Sequence, residues 1–206
     1  ELSRREQDPV PENVRHALTR IDSESARMAS LVEDLLLLAR LDAGRELARE
    51  PVDLTHLVID AVSDARAAGP DHKWQLDLPE EAVETVGDQA RITQVIVNLL
   101  ANARTHTPAG TTVVASVRRD AHAAVIVVAD DGPGIPDTLL PRVFKRFTRG
   151  DEARTRPAGG NGTPTASTGL GLSIVDAVVA AHHGHVGVHS RPGHTAFTIR
   201  LPLAQP

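Results

Sequence analysis

Two asparagines four residues apart, Asn98 and Asn102, lie inside the run QVIVNLLANARTH at positions 94–106. Ile92, Val95, Ile96, Leu99, Leu100 and Ala103 recur at the spacing of one broad helix face. Asp88 precedes them as a helix N-cap and Pro108 follows the end. The two amides therefore project from one side of one helix, a turn apart. An amide oxygen can ligate a hard cation and its NH2 can donate to a phosphate; the same spacing also suits two asparagines that only face water. A second group, Asp130-Asp131-Gly132-Pro133-Gly134-Ile135-Pro136, follows directly on a hydrophobic strand. Read for chemistry, the strand-end carboxylate of Asp130 points into a pocket, and Gly132 and Gly134 let backbone approach a ligand. Read for structure alone, Asp-Gly and Gly-Pro are ordinary turn pairs, and spacing leaves both readings open. A third group, Thr168-Gly169-Leu170-Gly171-Leu172, opens a helix expected over 173–183, with apolar Ile174, Val175, Val178 and Val179. Glycines there leave backbone N–H groups at the positive end of the helix dipole, a natural anion site; a loop that merely caps a helix has the same composition.

The elements that must position these groups follow from composition and periodicity. The 206 residues suit one domain of ordinary size plus an appendage, and 41% hydrophobic content supports a core. The only aromatics are Trp74, Phe144, Phe147 and Phe197, so that core is aliphatic. A net charge of −5 offers no general electrostatic case for nucleic acid or an anionic membrane, and no nucleic-acid partner is expected. Absence of cysteine excludes a disulfide framework and a thiolate site. No apolar run approaches membrane-spanning length, and nothing resembles a signal peptide. A start at Glu1 rather than Met leads us to expect a fragment of a longer protein.

From Glu12 a helical pattern begins, with Val14, Leu18, Ile21, Ser25, Met28, Val32, Leu35 and Ala39 at alternating spacings of four and three. This is a heptad repeat, widened toward its end by Leu31, Leu36, Leu37 and Leu38, which suits a four-helix bundle and predicts dimerisation. Gly44 is expected to stop the helix, and residues 44–50 read as a linker. A second helix is predicted over 53–68, stopped by Gly69-Pro70; strands are predicted over 73–78, 112–118 and 124–129, the last two forming a hairpin around Asp120. Residues 150–168 are rich in Gly, Thr, Pro and Ala and cannot build a core, so they read as a functional or disordered loop. Strands over 185–190 and 195–201 complete an α/β sandwich with a mixed sheet. His182, His183, His185 and His189 crowd together; they suggest a metal site or, as we read them, a helix end and a strand face.

Four stretches in this order strongly resemble the ATP-binding catalytic domain of bacterial sensor histidine kinases, of the GHKL ATPase superfamily. They are the Asn-x-x-x-Asn helix, the Asp-x-Gly-x-Gly turn, the paired Phe144 and Phe147, and the Gly-x-Gly-Leu helix start. The resemblance covers about residues 51–204, and the heptad helix resembles the second helix of the family's dimerisation and phosphotransfer hairpin. It implies an α+β fold: a GHKL-type α/β sandwich with a mixed sheet packed on helices, preceded by a long heptad-patterned helix. Domain limits follow as 1–43 for part of the hairpin, 44–50 for the linker and 51–206 for the ATP-binding domain, with a lid at about 150–168.

The resemblance also implies roles. Asn102 would ligate Mg2+ and Asn98 would contact nucleotide phosphates. Asp130 would accept from the adenine amino group above a floor made by Gly132 and Gly134. Phe144 and Phe147 would hold the lid, and Thr168, Gly169, Leu170, Gly171 and Leu172 would border the phosphates. Gly193 resembles the family's last glycine box. ATP and Mg2+ are the implied cofactors. A response regulator and a homodimer through the hairpin helices are the implied partners. The implied setting is the cytoplasmic domain of a membrane-anchored parent.

This sequence departs from the family at several points. Thr105 stands where the family often has Lys, His106 where it often has Tyr, and Ser167 where it has a glycine. Arg104, Thr105, His106, Arg146 and Arg149 are the remaining candidates for phosphate contact. The phosphoacceptor context, His followed by an acidic residue with Pro close behind, is absent, and His16 is followed by Ala and Leu. The fragment is thus expected to bind ATP and to lack the histidine it phosphorylates. GHKL motors and clamps that hydrolyse ATP place Glu four residues before the metal-binding Asn. Here that position is Asn98, which takes no proton at neutral pH. An anti-sigma-type protein-serine kinase would share these boxes, but the heptad helix favours a two-component sensor. Intact Asn102, Asp130 and glycine boxes argue against a non-catalytic dimerisation module.

Overall fold

The structure, a computed structural model, describes residues 12–44, 46–148 and 169–203. Between Ala39 and Arg40 the chain divides into two compact units. The first is formed by helix α1 (Glu12–Asp42), whose last residues belong to the second. Much of the α1 seam is exposed: Leu18, Ile21, Met28 and Val32 stand at 53%, 60%, 62% and 54%, whereas Leu37 and Leu38 at its widened end are buried. Past its end Gly44 takes φ +67°, the left-handed conformation that a glycine after a helix supplies without strain.

In the second unit the expected helix over 53–68 is α2 (Leu54–Ala68), with Asp53 as N-cap accepting from the His56 N–H. Helix α3 (Gln89–His106) begins at Asp88, whose carboxylate accepts from the Arg91 N–H. Helix α4 spans Gly171–Ala181, two residues earlier at each end than the periodicity suggests. Its N-cap, Leu170, is fully buried.

Five strands form the main sheet: β2 (Lys73–Asp77), β4 (Thr112–Arg119), β5 (Ala123–Asp130), β6 (His185–Arg191) and β7 (His194–Pro202), in the order β2-β4-β5-β7-β6. Only β2 and β4 run parallel; the other neighbours are antiparallel. Alternation along the strands sends Ala115, Val128, Phe197 and Val188 to one face in register, and Val117, Ile126, Ile199 and Val186 beside them. Helices α2, α3 and α4 pack on the sheet. The linker expected over 44–50 ends in a strand that periodicity does not predict: β1 (Glu50–Asp53) pairs antiparallel with β3 (Glu84–Gly87) in a separate two-stranded sheet. These strands are too short for periodicity to reveal, and their pairing is held from outside, by the Thr85 hydroxyl donating to Pro202 O at 2.6 Å.

Among the described residues no helix is long and apolar enough to cross a membrane. Phe197 is the largest fully buried side chain and meets Phe144 edge-on, with centroids 6.3 Å apart at 82°. Phe197→Ala is expected to lower unfolding free energy by about 3–5 kcal/mol, read from the denaturant midpoint, as large-to-small core changes do.

Candidate nucleotide-binding site

The strand β5 ends on Asp130, whose inward parity leaves it 8% exposed. Asp131, the next residue, turns the other way and is tied to β4: its Oδ1 accepts from the Thr112 N–H at 2.7 Å and its own N–H donates to Thr112 O. One carboxylate thus locks the turn and the other faces a pocket lined by Asn102, Thr107, Pro133, Gly134 and Thr195. Asp130 Oδ1 accepts from the Gly132 N–H at 3.0 Å. Its other oxygen has no hydrogen-bond partner among the described residues. Burial pushes the Asp130 carboxyl above the usual aspartate range, against the Gly132 hydrogen bond that pulls it down; Asp131 adds to the rise and His194 opposes it.

The two glycines of the turn are required by packing. A Cβ on Gly132 would stand 2.7 Å from both Asp130 Oδ1 and the Thr107 methyl. Gly134 takes φ +86°, and a Cβ there would stand 2.8 Å from Arg191 backbone. The turn is closed onto the β6–β7 hairpin by Gly193 N–H donating to Gly132 O at 2.8 Å and by Ile135 N–H donating to Ser190 Oγ at 2.8 Å.

Asn98 and Asn102 share one side of α3 as expected. Asn102 reaches the pocket of Asp130. Asn98 Nδ2 donates to Gly171 O at 3.3 Å, which joins α3 to the start of α4. Among the described residues no side chain caps α4, and the first amides of a helix have no intrahelical partner. Leu172 is half-buried in that first turn. Phe144 is rooted in the core by Phe197, but the Phe147 side chain is 61% exposed. Phe147 acts through its backbone instead: at φ +61° its N–H donates to Gly169 O at 2.9 Å, clasping the two flanks of the segment between them. The lid expected over 150–168, with Thr168 and Arg149, lies outside the described residues.

Two of the cationic candidates are directed elsewhere. Arg104 donates to Ala68 O at 3.1 Å, at the end of α2, and its stem covers Gly69. It cannot serve the pocket from there, since the last turn of α3 points it to the opposite side. Arg146 pairs with Asp42 at 2.6 Å within the same unit. Thr105, half-buried, precedes His106, whose ring lies at the pocket rim with its pKa held below the ordinary imidazole range by desolvation. The crowded histidines separate: His182 is buried and His185 and His189 are exposed, and among the described residues no group of three or more acidic, His or Cys side chains is placed to hold a metal.

Sequence reasoning missed two polar members of the pocket wall. Thr195 is 3% exposed, stands opposite Asp130 in the β5–β7 register, and pairs with Ser190 through hydroxyls 2.9 Å apart. Its parity with Phe197, Ile199 and Leu201 was the available signal. Thr107 donates its hydroxyl to Ala103 O at 2.8 Å, so the His72 Nε2–H, 3.0 Å away, must donate to it. His72 thereby braces the methyl that walls Gly132, and no local pattern announces a contact 35 residues apart in sequence.

A mixed sheet under three helices, with a buried strand-end carboxylate facing an asparagine helix, defines the GHKL type of ATP-binding domain. Residues 87–205 match the family described as Histidine kinase-, DNA gyrase B-, and HSP90-like ATPase, and the chain belongs to that family. It is 56% identical over 193 residues to the probable sensor histidine kinase TcrY of Mycobacterium tuberculosis, covering 94% of this chain and 39% of that protein. It is 42% identical over 210 residues to the sensor histidine kinase TrcS of the same organism, covering 100% of this chain and 40% of that protein. The chain thus spans about two fifths of the length of these relatives. Among solved structures it resembles full-length ShkA in complex with AMPPNP, with TM-score 0.79 and 26% identity, over 98% of this chain and 41% of that one. It also resembles the mycobacterial sensor histidine kinase MprB, with TM-score 0.63 and 29% identity, over 77% of this chain and 100% of that one.

An acid whose pKa rises on folding favours the folded state at low pH, and that contribution is lost as pH climbs from the ordinary aspartate value through the raised one. Asp130 therefore opposes folding at neutral pH. Asp130→Asn keeps the acceptor for Gly132 and is expected to melt at a higher temperature than the parent at pH 7, with the gap closing toward pH 3 in calorimetric scans.

Proposed function

We propose that this chain binds MgATP around Asp130 and passes the γ-phosphate to a histidine on the dimerisation hairpin of a sensor kinase, for relay to a response-regulator aspartate. The observation that carries the proposal is buried Asp130, with one oxygen that has no partner among the described residues, in one pocket with Asn102. A buried, acceptor-only group selects a ligand that brings a donor, as the adenine amino group does. Asn102 would hold Mg2+, which supplies neutralisation of charge on the phosphate oxygens when bound. Asn98 and the start of α4 would border the phosphates, and the rim His106 the base or sugar. This chain's residues bind and orient; position 98 carries an amide rather than a carboxylate able to take a proton from water, which favours transfer over hydrolysis. The names of TcrY, TrcS and MprB and the AMPPNP complex of ShkA support the same reading.

The domain limits of 1–43, 44–50 and 51–206 belong to this proposal. So does a homodimer through the hairpin, for which the exposed α1 seam is the support. In the whole protein the domain would lie on the cytoplasmic side of a membrane-anchored sensor. No histidine here has the acidic neighbour and following Pro of the family's acceptor; His16 is exposed on α1 beside Glu12 at 3.9 Å. The acceptor therefore lies outside these 206 residues.

Asp130→Asn presents a donor to the adenine amino group. ATP binding by titration calorimetry is expected to weaken at least tenfold, about 1.4 kcal/mol. Unchanged affinity would remove Asp130 from the base pocket. Asn102→Ala is expected to lose most of the Mg2+-dependent part of ATP binding, and an unaltered Mg2+ dependence would refute its role. With radiolabelled MgATP the chain should take up little acid-labile phosphate yet label a separately supplied hairpin from its parent. Stoichiometric self-labelling abolished by His16→Gln would show the opposite.

A further inference from the structure

His182 closes α4 and is 8% exposed, although it lies far from the pocket along the helix. Its Nδ1 is 2.8 Å from Val178 O. A carbonyl only accepts, so Nδ1 carries the proton and Nε2 is a bare acceptor. That acceptor takes the backbone N–H of Asp88 at 2.9 Å. Asp88 is the N-cap of α3, and its carboxylate is already engaged by Arg91 N–H. The imidazole thus satisfies a donor at the entrance to α3 that the cap itself leaves unpaired. The ring lies against Gly87, where a Cβ would come within 2.6 Å of its Cδ2.

The second point of attachment between the two helices is Asn98 Nδ2 on Gly171 O, at the phosphate end. From Asp88 to Asn98 is ten residues of α3, and from Gly171 to His182 is eleven of α4. At 1.5 Å per residue the arms measure roughly 15 and 16.5 Å. The helices therefore run antiparallel as a closed frame pinned at both ends, and a slide at the His182 end is transmitted to the Asn98 end. We infer that His182 is a positioning residue for phosphate binding: through the Asp88 N–H it sets the register of α3 against α4, and so the placing of Asn98 and Asn102 over the Gly169–Gly171 turn. It touches neither nucleotide nor metal, and only its neutral form can serve both partners.

The inference rests on the proposed function, and the 206-residue chain tests it in three variants. His182→Leu fills the site without an acceptor; His182→Gln offers an amide oxygen near the place of Nε2; Gly87→Ala displaces the ring from the other side. MgATP and adenosine affinities are measured for each at a temperature where circular dichroism shows the variant folded. His182→Leu is expected to bind MgATP about tenfold more weakly while keeping adenosine affinity within twofold, since the carboxylate that would take the base, Asp130, is set by β5 and the Gly132 N–H rather than by either helix of the frame. His182→Gln is expected to recover MgATP affinity to within threefold of the parent. If His182→Leu does not fold, Gly87→Ala is expected to show the same selective loss. Equal loss of both ligands, unaltered MgATP affinity in the Leu or Ala variant, or a Gln variant no better than Leu overturns the inference alone. A parent chain that fails to bind MgATP overturns the proposed function and this inference with it.

Discussion

The structure depends on a carboxylate held where water is scarce. Asp130 ends the second strand of a hairpin whose other neighbour, β7, places Thr195 opposite it. Burial alone drives this group toward its protonated form. The Gly132 N–H counters that drive, and it can do so only because Gly132 lacks a Cβ and the chain can double back beneath the carboxylate. The turn in turn needs Gly134 against Arg191, Gly193 N–H on Gly132 O and Ser190 under Ile135. The polar end of the sheet is thus built to keep one oxygen of Asp130 engaged and the other open to the pocket.

The helical layer answers to the same place. Helix α3 brings Asn102 to Asp130 with a face of Ile, Val and Leu buried on the sheet, and the start of α4 meets Asn98 through Gly171. Neither helix is held by the sheet alone. Backbone and side-chain hydrogen bonds at both ends of the pair, His182 to Asp88 and Asn98 to Gly171, fix a relation that apolar contact leaves free to slide. Hydrophobic burial is non-directional, so register between helices has to come from groups that are.

Arg104 and Arg146 show what cations near a polar pocket do when the fold has other uses for them. Arg104 caps the carbonyl end of α2 and shields Gly69, and Arg146 meets Asp42. Both stand close in sequence to residues that resemble a phosphate site, and proximity along the chain placed neither at the pocket. A helix rotates successive residues by about 100°, so the neighbour of a functional residue faces elsewhere by construction.

The sequence by itself determined most of the elements and the side of each on which Asn102 and Asp130 stand. Period 3.6 marked α1, α2, α3 and α4, alternation marked β2 and short apolar runs between turn residues marked the other strands of the main sheet, and the helix signals at Asp53, Asp88 and Gly44 stood within two residues of the observed helix ends. These signals are local, because they arise from backbone geometry and from the side on which apolar groups recur. Asn102 with Asp130 was legible for the same reason: each residue's direction follows from its own helix or strand. Only the tertiary structure decided what depends on partners distant in the chain. β1 and β3 exist as strands because they pair with each other and lean on Pro202. Thr107 is held by His72, Phe147 is left in water while its backbone clasps Gly169, and His182, read from sequence only as part of a helix end, becomes the acceptor for Asp88. A lone histidine carries no mark of which of its nitrogens will meet a donor; that is settled by what the fold brings to 3 Å of it.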